Sequence, residues 1–580
     1  MGFVIVLAAP VFFMSILLEW LWGLRLSRQG KAGAQTYRLD DAISSISMGI
    51  INQITGIFTR VMRIGIYTLV FEQVALLPNQ AWWSTWYGVL LALVLYDFCY
   101  YWFHRASHEV AVFWASHAPH HQSQHYNLST ALRQSSVGIL TSWIFYIPMA
   151  VLGVPPLIFG IVALIDLLYQ FWVHTEHVGK LGWFDRWFCS PSNHRVHHAV
   201  NDGYVDRNYG GIWVVWDRLF GSFQEEDDNK PCVYGTRRAL NSWDPLWANL
   251  HGYTDIMRDS WHTKLWGDKL RVWFKHPGWR PADVAERFPR VAFNLNDFPL
   301  YQPEQSRYVL MMACGWFVML LLAAMVVLWH MEDMPWAQAA TCVLAVSAGL
   351  WAVNVMLQNR LDPTICAFVQ WAALATASQV CGWQEVYQTA KPVAMLTLMW
   401  AAWSAEGLRK PVQTWLVRAL GLSWVGDVLL LYPGLFLPGL LAFLAAHLGY
   451  IWMLRQDAPW LHSRRALVLS LAAAGGFFAV LDSHGLPPEL RLPVAGYVLV
   501  IATMAAQAWG RAKYLGTPGS FWLAWGSLAF MVSDSLLAFD KFVSPIPLAG
   551  LWILASYYLA QAWIVTGRLG DTEVKKVKNG

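Results

Sequence analysis

Eleven of the chain's 18 histidines lie between His104 and His198, most of them in three blocks: His104 with His108, His117 with His120 and His121, and His194 with His197 and His198. Neutral imidazole is a ligand for Zn, Cu, Fe and Ni, and apolar packing has no use for so many rings. On a helix, residues three and four apart share a face, so each block projects its rings together. A closed tetrahedral site takes about four protein ligands, so eight converging imidazoles imply two ions with room for water or oxygen. His174, in Trp172-Val173-His174-Thr175-Glu176-His177 at the end of an apolar run, is a candidate ninth ligand. His125 and His177 are placed behind the ligands, and His251, His262, His276, His330, His462 and His484 are read as structural. The H-x-x-H-H pattern at His117 and His194 has different flanks, so a ligand motif recurs without a duplicated unit.

Carboxylates stand near these blocks. Asp97 lies seven residues before His104, hence on nearly the same helix face, inside an apolar run where an unpaired carboxylate is costly. Its expected role is to orient a ligand by hydrogen bonding. Glu109 directly follows His108 and is read either as an oxygen ligand or as a hydrogen-bond partner of a reductant. A second set of charged or titratable residues interrupts apolar segments of the C-terminal half: Lys391, Asp427, His447 and Asp534. Such residues are expensive within a membrane and are usually functional, the alternative being a polar network that holds helices together.

The elements that must position these groups are membrane helices. At 580 residues, 56% hydrophobic and 15% aromatic with only 13% charged, the composition is that of an all-α, polytopic membrane protein. Apolar stretches long enough to span a bilayer begin near Val4, Met48, Tyr87, Ser136 and Pro155, and again near Tyr308, Pro335, Thr364, Pro392, Trp415, Leu435, Ala466, Pro493, Phe521 and Leu548, giving about fifteen spans. The first run lacks a basic flank and a small-residue cleavage pattern and is read as an anchor. The 36 Trp suit interfacial belts. A net charge of +4 gives no support to a nucleic-acid role, and seven Cys without paired spacing suggest no disulfide framework.

Basic residues follow alternate spans: Arg25, Arg28, Lys31 and Arg38 after the first, then Arg360, Arg409 with Lys410, Arg455 with Arg464 and Arg465, Arg511 with Lys513, and Arg568. Short basic loops prefer the cytoplasm, so the third span delivers His104 to the cytoplasmic side and the metal site is expected to face it. Residues 174–305, rich in Asp, Asn, Arg, Trp and Pro, are expected to form a cytoplasmic cap. A break near Pro303 divides the chain into two membrane modules, 1–305 and 306–580.

The three histidine blocks with Asp97 upstream resemble the fatty acid hydroxylase and sterol desaturase superfamily. Within it, Tyr100-Tyr101-Trp102-Phe103-His104-Arg105, the string from Tyr126 to Ser135 and the string from Asn208 to Gly221 resemble the alkylglycerol monooxygenases, over roughly residues 1–300. The resemblance implies a histidine-ligated pair of iron ions, dioxygen as co-substrate and tetrahydropterin or another reductant as electron donor. It puts His104, His108, His117, His120, His121, His194, His197 and His198 on the metal and Glu109 on the pterin side. The implied reaction inserts oxygen next to the ether oxygen of a glycerol ether lipid, giving a hemiacetal that collapses to aldehyde and glycerol. An apolar tunnel from the bilayer is expected to reach the site.

In the second module, Leu422-Ser423-Trp424-Val425-Gly426-Asp427-Val428, Ala445-Ala446-His447-Leu448-Gly449-Tyr450, Met531-Val532-Ser533-Asp534-Ser535, Lys391-Pro392 and Tyr557-Tyr558-Leu559-Ala560-Gln561 resemble the lysoplasmalogenase family, over about residues 340–567. That family implies hydrolysis of the vinyl ether bond of lysoplasmalogens. The step needs an acid to protonate the enol ether carbon and a base to guide water, roles a carboxyl pair can divide. Asp427 and Asp534 are the expected pair, with His447 and Lys391 orienting them or meeting a phosphate. The rival reading is a sterol or fatty acyl hydroxylase or desaturase with the same iron centre, joined to a non-catalytic lipid sensor or transporter.

Overall fold

The computed structural model describes residues 2–31, 33 and 35–579. Among them the chain is helical almost throughout, and the only extended pairing is two isolated bridges, Phe188 with Trp213 and Ala199 with Tyr234. A bilayer offers no hydrogen-bond partners to exposed backbone, so helices, which satisfy their own N–H and C=O groups, are what these apolar runs must become.

The chain divides into two units, Met1–Glu332 with Val353–Asn359, and Asp333–Ala352 with Arg360–Gly580. The first holds α1 (Gly2–Arg28), α2 (Leu39–Val74), α3 (Gln80–Trp83), α4 (Trp86–Glu109), α5 (Ala111–His121), α6 (Leu128–Ala131), α7 (Ile139–Leu152), α8 (Pro156–Trp172), α9 (Pro191–His198), α10 (Val215–Leu219), α11 (Pro245–His262), α12 (Trp266–Phe274), α13 (Ala282–Arg287) and α14 (Arg307–His330). The second holds α15 (Trp336–Met356) up to Ala352, then α16 (Pro363–Cys381), α17 (Gln384–Ser404), α18 (Lys410–Leu429), α19 (Phe436–Leu454), α20 (Arg464–Ser483), α21 (Pro488–Leu515), α22 (Pro518–Phe542) and α23 (Ala549–Asn579). α14, beyond the break expected near Pro303, packs on α1 and α2 and belongs to the first unit.

A helix lies over each of the fifteen expected segments, and eleven are long and apolar enough to cross a membrane. α7 and α8 are apolar but shorter. α17 carries Glu385 and Lys391, and α18 carries Lys410, Arg418 and Asp427. The polar stretch 174–305 contains α9 to α13, none of them a candidate span.

Several helix starts share one device, a capping oxygen followed by proline: Ser190-Pro191, Asp244-Pro245, Asp362-Pro363 and Thr517-Pro518. The side-chain oxygen accepts an orphan N–H of the first turn, and proline at the first helical position gives up an N–H that would have had no partner. Gly153 ends α7 at φ 99, where a Cβ would lie 2.4 Å from the Leu77 carbonyl oxygen, so α7 can stop here only on glycine.

In the first unit, Tyr67 stacks on Phe159 with centroids 4.2 Å apart and Tyr96 on Tyr146 at 4.8 Å, around the buried Met149, Ala150 and Val162. In the second unit, α22 and α23 approach through small residues: a Cβ on Gly519 would lie 2.5 Å from the Gly567 carbonyl oxygen, and one on Gly567 would lie 2.7 Å from the Leu523 nitrogen. Close backbone approach of this kind is how helices gain packing where lipid supplies no hydrophobic drive. One end of this bundle is tied by buried charges. Arg511 reaches Asp457 at 2.7 Å and Asp571 at 2.7 Å, and Arg568 reaches Asp457 at 2.6 Å. Two cations balance two carboxylates, which is how such groups tolerate burial.

Replacing Gly567 by Leu should force α22 from α23 at a cost of about 1–3 kcal/mol or more. A lowered Tm in detergent checks this, and an unchanged Tm would contradict the close crossing.

Candidate metal centre and second polar site

α4 brings His104 and His108, α5 brings His117, His120 and His121, α9 brings His194, His197 and His198, and His174 follows α8 by two residues. These nine rings form two groups: His104, His108, His117, His121 and His197 in one, His120, His174, His194 and His198 in the other, with ligand nitrogens within 4.8 Å of one another in each. The two H-x-x-H-H helices divide their residues in opposite senses. His117 and His121 join the first group while His120 joins the second; His194 and His198 join the second while His197 joins the first. The groups share a wall, where His121 stacks on His198 with centroids 4.3 Å apart.

The inward edges of the groups are short. Nε2 of His117 lies 3.0 Å from Nε2 of His104 and 3.1 Å from Nε2 of His121. In the second group, the Nε2 atoms of His120 and His174, His174 and His194, and His194 and His198 are 3.3, 3.1 and 3.2 Å apart. Ligand nitrogens about 2.1 Å from one ion are about 3.0–3.4 Å from each other, so these are edges of a coordination shell. The outward nitrogens are tied down. Nδ1 of His104, His120, His174 and His197 donates to the carbonyls of Tyr209, Arg133, Gln170 and Arg207 at 2.8 to 2.9 Å. Nδ1 of His108 faces Asp206 Oδ1 at 3.3 Å. With the proton held outward, each inward Nε2 keeps its lone pair. Nε2 of His108 and of His197 is buried with no protein partner, as a ligand awaiting an ion would be. Burial lowers the pKa of His117, His121, His194, His197 and His198 well below the usual range and that of His120 to about 4, which keeps them in the neutral, metal-binding form. The donor set fits two imidazole-bound transition-metal ions.

Asp97 does not touch a histidine. Its carboxylate accepts the backbone N–H of Ile212 at 2.6 Å and the indole N–H of Trp216 at 2.7 Å. It therefore acts on His104 through the loop that offers the Tyr209 carbonyl. Asp217 clamps the same loop, accepting the N–H groups of Tyr209 and Gly210 at 2.7 and 2.8 Å, and burial pushes its pKa up to about 6. Gly211 makes the close approach feasible, since a Cβ there would lie 2.8 Å from Asp97 Oδ1 and 2.7 Å from Asp166 Oδ1. Glu109 lies outside both groups, exposed, with Oε1 2.9 Å from Arg105 Nε.

Residues not singled out in the sequence support the centre. Arg133, fully buried, donates from Nε to the Pro119 carbonyl while its own carbonyl holds His120. Glu19, a lone acid in the first apolar run, accepts from Leu128 N at 2.8 Å and Thr175 Oγ1 at 2.5 Å, and so secures the segment after His174. Arg195 binds Glu226 through two nitrogens and the Thr175 carbonyl through a third. His276, read as structural, reaches Asp206 at 3.1 Å behind His108.

In the second unit, Lys391 Nζ lies 3.2 Å from Asp427 Oδ1, and the Tyr557 hydroxyl donates to Oδ2. His447 Nε2 lies 2.9 Å from the Tyr497 hydroxyl, which donates to Asp534, and 3.6 Å from Asp534 Oδ2. Phe530 packs against both His447 and Tyr557, with centroids 4.7 and 5.5 Å away, between the two pairs. The four residues expected to work together thus form two dyads, each completed by a tyrosine. Tyr557 lies in a string already noted; Tyr497 carries no charge that would have marked it.

The fatty acid hydroxylase family model matches residues 89–222, and the YhhN family model matches residues 386–568. The chain is 41% identical to alkylglycerol monooxygenase of Homo sapiens over 292 residues, 49% of this chain and 62% of that relative, so it spans about three fifths of the human protein. It is 35% identical to alkylglycerol monooxygenase of Xenopus tropicalis, covering 54% of this chain and 68% of the relative. It is 32% identical to lysoplasmalogenase TMEM86B of Homo sapiens, covering 36% of this chain and 86% of the relative. No solved structure matches.

His121→Ala and His194→Ala remove ligands from different groups. Each should lower bound iron, read by elemental analysis of purified protein, without abolishing it, whereas total loss from either would indicate one ion. Because the folded site keeps its imidazoles neutral and an unfolded chain protonates them below about 6.5, metal-free protein should be most stable above that pH and lose stability as pH falls toward 4. Thermal melts at stepped pH check this, and a flat profile would contradict it.

Proposed function

The chain belongs to the alkylglycerol monooxygenase family in its N-terminal half and to the lysoplasmalogenase family in its C-terminal half, and from that premise we propose that it is a bifunctional membrane enzyme that releases fatty aldehyde from ether lipids. The observation that carries the first activity is the pair of histidine groups with inward Nε2 edges of 3.0 to 3.3 Å. Two iron ions held there would supply dioxygen activation, chemistry no side chain of this protein can perform. The chain's own part is to hold the rings neutral, exclude bulk water and set the alkyl chain of the lipid beside the centre. The carbon next to the ether oxygen gains a hydroxyl from dioxygen, and the second oxygen atom leaves as water with two electrons and two protons from a reductant. The hemiacetal then collapses to aldehyde and glycerol. We assign tetrahydropterin as that reductant and Glu109 to its side of the site. We place the centre at the cytoplasmic face, supported by the basic residues Arg25 and Arg28 in the last turn of α1 and Lys31 and Arg38 between α1 and α2.

For the second activity, a proton must reach the β-carbon of the vinyl ether and water must add to the resulting oxocarbenium carbon; the hemiacetal then gives aldehyde and a glycerophospho-compound. Asp427, beside the Lys391 ammonium and the Tyr557 hydroxyl, is one carboxyl of the pair we assign to this step. Asp534, hydrogen-bonded by Tyr497 next to His447, is the second carboxyl of the pair that divides proton delivery and water guidance. Each unit carries its own complete set of groups, so the two activities are separable.

His120→Ala should abolish oxygen-dependent release of aldehyde from alkylglycerol and leave vinyl ether hydrolysis intact, and Asp534→Asn should do the converse. Aldehyde measured from each substrate with purified variants checks both. Loss of both activities in a folded single variant would contradict separate sites.

A further inference from the structure

α11 and α12 are too short or too polar to cross a membrane, yet they expose large apolar side chains in order. On α12, Trp266, Leu270 and Phe274, spaced i, i+4, i+8, are 83%, 68% and 66% exposed. Leu250, Met257 and Trp261 form a second row on α11, and Leu265 joins the two helices. The opposite faces are already occupied: Ile256 and Val272 pack on Ala111 and Ala115 of α5. α11 lies so close to α5 that a Cβ on Gly252 would come 2.9 Å from the Cα of Ala115. The outward row is therefore surplus to the fold. Arg258, Lys264, Arg271 and Lys275 flank it in exposed positions, and the acids of α11 and α12 are paired, Asp259 with Arg280 and Arg290, Asp268 with Arg271, and Asp255 with Arg238 and Arg258, which leaves Lys264 and Lys275 outside these pairs.

We propose that α11 and α12 lie in the plane of the membrane, with the Trp266, Leu270 and Phe274 row set into the headgroup region of an anionic lipid leaflet. A short amphipathic helix with aromatic residues on its apolar face and Lys and Arg beside it buries that face about 5–10 Å into the boundary between headgroups and acyl chains. Trp favours that depth, and each basic residue near an anionic surface adds attraction. α12 packs on α5, the helix of His117, His120 and His121, so the leaflet surface is brought to the outer side of a ligand-bearing helix. The proposal rests on exposure and charge and is independent of which lipid is oxidised.

The test places a nitroxide at Leu270→Cys and Phe274→Cys in the full chain reconstituted into nanodiscs of phosphatidylcholine with phosphatidylglycerol. Asp228→Cys serves as a water-exposed control, and the wild-type chain carried through the same labelling sets the background from native cysteines. Collisions with a water-soluble nickel chelate should fall severalfold at 270 and 274 relative to 228, and collisions with dissolved oxygen should rise. Nickel accessibility equal to the control would overturn the proposal. Spin–spin coupling between copies would assign the row to a second copy of the chain and overturn it as well. In nanodiscs of phosphatidylcholine alone the labels should sit shallower, and equal depth would remove the anionic preference.

Discussion

Nine imidazoles can share one buried volume only if none of them carries a charge and each knows which nitrogen holds its proton. The structure meets both demands with backbone. Carbonyls of Tyr209, Arg133, Gln170 and Arg207 take the outer N–H of four rings, and burial makes the imidazolium form unfavourable. Charged groups around the centre fix the segments that carry those carbonyls and the ligands themselves. Asp97 and Asp217 hold the loop of Tyr209, Arg133 spans from Pro119 to its own carbonyl at His120, and Arg195 and Glu19 both end at Thr175, one residue past His174. Charged groups that touch no ligand are thus part of the centre, because a carbonyl displaced by a fraction of an ångström would release its ring.

The second unit solves a different problem with similar means. Carboxylates buried among helices need compensation, and here each has a partner of another kind: an ammonium and a phenol for Asp427, a phenol and an imidazole for Asp534. The aromatic ring of Phe530 packs on His447 of one pair and on Tyr557 of the other. Different surroundings for two like acids are what acid–base division of labour requires.

Much of this was legible in the sequence, for identifiable reasons. The three histidine blocks and the apolar runs are local patterns, and helical spacing alone puts rings of one block on one face. Spacing does not say which of two adjacent ions a ring meets: His120 and His121 are neighbours in the chain and belong to different groups. Asp97 was visible as a costly buried acid, but its partners lie more than a hundred residues away, in the loop of Ile212 and in α10, and an orienting bond to a histidine was the wrong inference from a shared face. Tyr497, Arg133 and Glu19 were passed over because a phenol in an apolar run, or a single charge near a loop, has no local signature. α7 and α8 show the limit of hydropathy: both are apolar, yet at 14 and 17 residues they fall short of the longer spans, since Gly153 and Pro155 end one and begin the other.

The charge clasp of Arg511, Asp457, Arg568 and Asp571 gives the second unit a direction. Those residues gather where α19 and α21 finish and α22 begins, whereas Lys391 lies two turns into α17, Asp427 in the last turn of α18, and Tyr557 two turns into α23. In a bundle of consecutive up-and-down helices these are opposite mouths. Four interlocked charges thus bind α21 and α23 to the segment after α19 at one end of the bundle, while Lys391, Asp427 and Tyr557 sit toward the other.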